Sequence, residues 1–332
     1  MSRHHGRRSA AALLALLLLV ALAAAVSLSL GAVRVPLGQV LRAAVGLGSE
    51  SADLIVLKLR LPRILAAILV GAALAVAGAL LQGVVRNPLA SPDLAGVTGG
   101  ASVAVVGFMT LFSGYSIHLV PFVAVAGAFV VVAIHYALSW KKGVTPMRFV
   151  LIGIGLSTAL SALTMFLLIS GPAYLAAQVL NWMTGSIYGT NWTYIGMLWP
   201  WLAVFLPLSL RIARELNVQA LGDATAIGLG SRLQWSRMAA LLCSVALAGA
   251  SVGVAGTLSF VGLLAPHIAR RLVGHDYRLV IPASALAGAL VLLAADLAGR
   301  MLFQPMDIPA GVFTAGIGAP FFMYLLLRGR RA

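Results

Sequence analysis

Apolar stretches of about twenty residues, separated by short segments rich in arginine, glycine and proline, set the pattern of this chain. They fall at roughly 10–30, 64–85, 95–111, 119–139, 149–169, 194–210, 238–257, 281–303 and 309–327. A helix rises about 1.5 Å per residue and the hydrocarbon of a bilayer is about 30 Å thick, so these stretches are predicted as membrane-crossing helices. The predicted fold class is all-α, a polytopic membrane protein forming a single transmembrane domain over residues 1–332.

Composition agrees with the pattern. Of 332 residues 61% are hydrophobic and only 9% charged, and the mean hydropathy is +1.03, which leaves too little polar surface to coat a soluble globule. The net charge of +15 would point to nucleic acid in a soluble protein. Here the basic residues sit in short loops between apolar runs, where they orient a chain in the bilayer, so no nucleic-acid partner is expected. Lys141, Lys142 and Arg148 mark one cytoplasmic loop; Arg211, Arg214, Arg232 and Arg237 mark a second; Arg270, Arg271 and Arg278 mark a third. Arg3, Arg7 and Arg8 before the first span, and Arg328, Arg330 and Arg331 after the last, are expected to place both termini in the cytoplasm. The first apolar stretch exceeds the h-region of a signal peptide, so it is read as an uncleaved helix.

These loops create a parity problem. If the 211–237 and 267–280 loops are both cytoplasmic, the stretch from Met238 to Pro266 must leave and return, yet two full spans and a turn need about forty residues. Gly249, Gly253 and Gly256 offer a place where one helix breaks and a shorter one returns, a device tolerated inside a protein bundle. About ten helices are then expected, one of them short. The alternative is a single tilted helix with a positive external loop.

Gly96 with Gly100 and Gly249 with Gly253 have the GxxxG spacing of close helix packing. The segment from Gly171 to Trp201 mixes aromatic and polar residues, among them Tyr174, Asn181, Trp182, Tyr188, Trp192 and Tyr194. Such residues favour the headgroup level, so an outer-face segment with a short interfacial helix is expected there.

No enzymatic constellation is visible, and no metal or cofactor is expected. HExxH and Cys/His ligand sets are absent, Cys243 lies in an apolar run as packing, and His118 and His135 read as polar tips at span ends. None of the three lysines, Lys58, Lys141 and Lys142, follows the glycines of a phosphate loop, so any ATP must be bound by another chain. An ion-coupled secondary carrier, the alternative reading, normally needs an ionisable group within the membrane. The acid well inside a predicted span is Asp296, and Arg300 lies four residues on, on the same helix face, which favours an ion pair. Arg60, Arg63 and Arg300 are then anomalous, since they fall at outer helix ends where positive charge is disfavoured. Snorkelling or pairing with Glu50, Asp53 or Asp296 would explain them; so would the reception of carboxylates from a soluble partner, which the planar guanidinium fork suits. Arg86, at the other end of the same helix, reads as ordinary orientation.

Five blocks carry a resemblance: LRLPR at 59–63, GAALAVAGALLQGVVRNPLASPDLAGVTGGA at 71–101, LGDATAIGLG at 221–230, GTLSFVGLLAPHIARRLVGHDYR at 256–278 and LLAADLAGR at 292–300. The chain resembles the permeases of the iron–siderophore and vitamin B12 ABC importer family, the FecCD type, over nearly its whole length beyond the first helix. The resemblance implies the type II ABC importer architecture and a permease subunit without its own ATPase site. It implies as partners a second permease subunit in a homodimer or heterodimer, two cytoplasmic ATP-binding subunits, an external substrate-binding protein and membrane lipid. It implies that Arg60, Arg63 and Arg300 accept carboxylates of the binding protein. The segment at about 213–232, with Glu215, Leu221, Gly222, Asp223, Ala224 and Gly228, is similar to the family's coupling element, a pair of short helices seated on the ATPase. Glu215, Gly222, Asp223 and Gly228 themselves suit short capped helices with a glycine break. For the translocation path, the resemblance directs attention to the fifth helix, where Thr158, Ser161, Thr164, Met165 and Leu168 form a mildly polar face. Ferric siderophore is the expected cargo, with haem and cobalamin behind it.

Overall fold

A computed structural model describes residues 2–31, 33–112, 115–141, 143–304 and 306–329. Lys142, Arg330 and Arg331, used above to orient the chain, lie outside the described residues, as do the side chains of Arg3 and Arg328. Among the described residues the regular elements are all helical. They are α1 (Ser2–Ser29), α2 (Leu37–Ala44), α3 (Glu50–Asp53), α4 (Leu61–Val85), α5 (Val97–Leu111), α6 (Val120–Ser139), α7 (Pro146–Ser170), α8 (Ala173–Met183), α9 (Trp192–Gln219), α10 (Asp223–Gly228), α11 (Leu233–Ala255), α12 (Val261–Val273), α13 (Tyr277–Met301) and α14 (Ala310–Gly329). Among the described residues seven helices are long and apolar enough to cross a bilayer, and α5 and α14 are shorter apolar helices. With the short returning helix α12, they agree with the expectation of about ten.

The second predicted span extends well beyond its apolar stretch. α3 runs through a π-helical turn, Leu54–Arg60, into α4, giving one helix of 36 residues from Glu50 to Val85, roughly 54 Å long. The wide turn sits just before Pro62, which has no N–H to donate back into the helix. The carbonyl of Leu57, left free by that proline, accepts instead from Trp192 Nε1 at 3.1 Å. Arg60 and Arg63 therefore lie ten or more residues into a continuous helix, not at its start.

α4 is the centre of the bundle, buried on nearly every side against α9, α11, α12 and α13. Its glycines make this possible. A Cβ on Gly71 would lie 2.3 Å from the Gly288 carbonyl oxygen of α13, and one on Gly78 would lie 1.7 Å from that of Gly262 in α12. Of the two GxxxG pairs, Gly253 packs on the Pro121 backbone and Gly100 on the Gly127 carbonyl.

The stretch from Met238 to Pro266 does break and return. α11 ends where Gly256 takes φ +70°, and α12 starts after Phe260 at φ +66°. The backbone groups around this break are met from within the protein: Ser186 N–H donates to the Ala255 carbonyl at 2.8 Å, and Thr257 Oγ1 donates to that of Met183. The short helix expected between 171 and 201 is α8.

Candidate functional site

At one end of the bundle, residues from α1, the π-helical turn, α4, α13 and the 302–309 loop meet. Arg63 is the hub. Its Nε and Nη2 lie 2.9 and 2.7 Å from Asp296 Oδ1, its Nη1 and Nη2 reach Asp307 Oδ2 and Oδ1 at 2.6 and 3.0 Å, and its Cζ is 5.4 Å from the centre of the Tyr188 ring. Arg300 Nε faces the second Asp296 oxygen at 3.2 Å, and its Nη2 donates to Ser27 Oγ. Arg60, buried, donates from Nη1 to the Leu28 carbonyl at 2.6 Å and from Nη2 to that of Val33. Gly31 makes room for it, since a Cβ there would meet the guanidinium at 2.7 Å. All three arginines line one cavity of about 510 Å³, together with Asp307. Asp296 is almost wholly buried, so its two arginine partners are what make its charge tolerable there. Of the acids considered as partners from the sequence, Asp296 pairs with the arginines; Asp307 was not foreseen.

The opposite end carries α10. α9 continues through Arg211, Arg214 and Glu215 to Gln219, so the expected coupling element is one short helix after a long one, not two short helices. The reason is apolar: Ile212, Ala213 and Leu216 are buried in the bundle and draw the helix past the end of its apolar span. Glu215 Oε2 accepts from Ser231 Oγ at 2.8 Å. Gly222 (φ +100°, ψ 156°) and Gly230 (φ +83°) flank α10, the first in a region open essentially only to glycine. Between them Ala226 is buried, while Ala224, Ile227, Gly228 and Leu229, and Leu221 just before the first glycine, are exposed. Asp223 opens α10, where a negative charge suits the helix N-terminus. Its Oδ1 accepts from Arg86 at 2.9 Å and from Arg237 at 2.8 Å. Arg86 caps α4 in the left-handed conformation at φ 54°, which costs a non-glycine residue about 1–2 kcal/mol. Arg237, buried at the start of α11, also donates to the Val144 carbonyl at 2.9 Å. Arg86 thus has a specific partner beyond the orienting role read from the sequence.

Residues 16–328 match the sequence model of the FecCD transport family. The chain belongs to the FecCD transport family. Achromobactin transport system permease protein CbrC of Dickeya dadantii is 45% identical over 305 residues, spanning 92% of this chain and 87% of that protein. Fe(3+)-citrate import system permease protein YfmE of Bacillus subtilis is 40% identical over 320 residues, 96% of each chain. A solved structure of a metal-chelate type ABC transporter in an inward-facing conformation aligns with a TM-score of 0.87 at 30% identity, over 95% of this chain and 98% of that one. As a FecCD permease, the protein is a multi-pass membrane subunit of an ABC transporter.

Within this FecCD chain the face proposed on the fifth span, α7, divides. Thr158, Ser161 and Met165 are exposed and Leu168 is half-buried, but Thr164 is buried against the bundle, so it leaves that face. The hydroxyls of Thr158, Ser161 and Thr164 donate to carbonyls one turn back, at Ile154, Ser157 and Leu160. His118 is exposed. His135 is fully buried, with Nδ1 3.0 Å from the Ala95 carbonyl and Nε2 2.8 Å from that of Phe149, so it ties the 92–95 turn to α6 and α7 and is no surface tip. Cys243 is a buried free thiol.

Proposed function

We propose that this permease stands in the cytoplasmic membrane with both termini inside, takes ferric siderophore from an external binding protein at its arginine end, and releases it inward. Two cytoplasmic ATPase subunits seated on α10 hydrolyse the ATP. The whole chain acts as one transmembrane domain, with 213–232 as its coupling segment. The observation that carries this reading is the convergence of Arg60, Arg63 and Arg300, from helices far apart in sequence, on one open cavity. Guanidiniums gathered at such a mouth offer planar, bidentate recognition to carboxylates of a docking protein. At the other end, the exposed Leu221, Ile227 and Leu229 supply the apolar patch that a soluble subunit covers.

Iron complexes are favoured as cargo because CbrC is a transport permease for achromobactin and YfmE one for Fe(3+)-citrate. The exposed face of α7, with Leu163, Met165, Phe166 and Ile169, supports pairing with a second permease subunit, identical or closely related. Thr158, Ser161 and Met165 on that face are the positions we assign to the path. The locking of Asp296 between two arginines argues against its use for ion coupling.

The test is transport in sealed vesicles that hold the permease and its ATPase, with ATP inside the cytoplasmic compartment and loaded binding protein outside. A panel of radio-iron complexes with citrate, hydroxamate and achromobactin should include one that accumulates only with ATP and binding protein. Uptake driven by a proton gradient alone would overturn the reading.

A further inference from the structure

Asp223 joins three elements that would otherwise end separately. α10 hangs between Gly222 and Gly230, where a Cβ would meet nothing within 4 Å, and beyond the second glycine Ser231 Oγ donates to Glu215 Oε2 of α9 at 2.8 Å. Besides the buried Ala226, α10 is fixed by Asp223, whose single Oδ1 is held by Arg86 and Arg237. The two arginines differ. Arg237 is buried and also held by the Val144 carbonyl, so it anchors Asp223 to α11. Arg86 is partly exposed and sits in a left-handed backbone that a glycine would adopt more readily, so its side chain is what recommends it there. It also closes the 36-residue helix that carries Arg60 and Arg63 in its opposite half.

We infer that Arg86 is a positioning residue that, through Asp223, hitches α10 to the end of α4, so that displacement of α10 by the ATPase is delivered to the central helix and not absorbed at the two glycines. This rests on the reading of α10 as the ATPase seat. Arg86 is well suited to carry the link because its partner is a helix-terminal carboxylate and its own backbone is the terminus of α4. A strut at the end of a rigid helix transmits a shift of a few ångströms without needing any rearrangement of the packed core.

The experiment uses the assembled transporter in proteoliposomes, measuring ATP hydrolysis and uptake of the ferric complex that the wild type carries in the panel assay. Arg86→Gln is expected to keep hydrolysis within about twofold of wild type and to lower uptake by about tenfold or more, so that the ratio of the two changes. Arg86→Lys, which retains the charge, should recover most of the uptake. Arg86→Met, of similar length, serves if the Gln variant does not accumulate. Uptake within about twofold of wild type in Arg86→Gln would overturn the inference, as would hydrolysis and uptake falling in step, since Arg86 would then serve assembly only. Cross-linking of Ile227→Cys to the ATPase separates the two ideas. Its absence with Arg86 in place refutes the seat; its presence together with normal uptake in Arg86→Gln refutes the hitch alone.

Discussion

At the scale of single residues, the arginines proposed for docking are already occupied. Asp307, about one-quarter exposed, fills one side of the Arg63 fork, and an incoming carboxylate must share or displace it. Asp307→Asn should therefore tighten binding of the loaded binding protein, and Arg63→Glu should weaken it by about tenfold or more at low salt, both read by titration on the permease in nanodiscs. Weaker binding in Asp307→Asn would show that Asp307 helps to hold the partner. The three arginines and Asp296 were legible in the sequence because LRLPR and LLAADLAGR stand out against apolar surroundings. Asp307 was not, because it lies 244 residues from Arg63 and nothing local marks it as a partner. Arg86 was read only half-way for a similar reason: a basic residue at a helix end has a sufficient local explanation, which hides its partner on α10.

At the scale of elements, the glycines of α4 set how closely the bundle packs. Gly78→Ala places a methyl 1.7 Å from the Gly262 carbonyl, so α4 and α12 must part, at about 1–3 kcal/mol or more. Gly155→Ala on α7 meets nothing within 4 Å and serves as the control. Thermal unfolding in detergent should show a lower midpoint for the first and an unchanged one for the second. Equal midpoints would mean that the α4–α12 contact relaxes freely. The same elements show what hydropathy reads and what it misses. It found the apolar stretches and, through the charge of the flanking loops, the broken α11–α12 pair. It began the second span at Ile64 and ended the sixth at Leu210, because charges mark where a bilayer stops. Both helices go on past that limit, carried by protein contacts such as Ile212, Ala213 and Leu216, which no transfer scale records.

At the scale of the whole molecule, the two ends have opposite proposed tasks, and their sides of the membrane can be checked directly. A membrane-impermeant maleimide applied to right-side-out vesicles should label Leu47→Cys, near the arginine end, at once, and Lys141→Cys, near α10, only after lysis. Cys243 is buried, so the parent chain contributes little background. The reverse labelling order would invert the proposed orientation. The helices also divide by what surrounds them. In its most apolar window the Glu50–Val85 helix is 83% buried, whereas α7 is 17% buried. At roughly 54 Å the former is far longer than the hydrocarbon layer, a mismatch that would force a lipid-facing helix to tilt or deform the bilayer. Because other helices surround it, bilayer thickness has no hold on it. Thinning or thickening the membrane should act instead on α1, which is as little buried as α7 but has no subunit assigned to its open side and must match the lipid it meets, so a change of lipid would bear on the rim of this permease and leave its axis untouched.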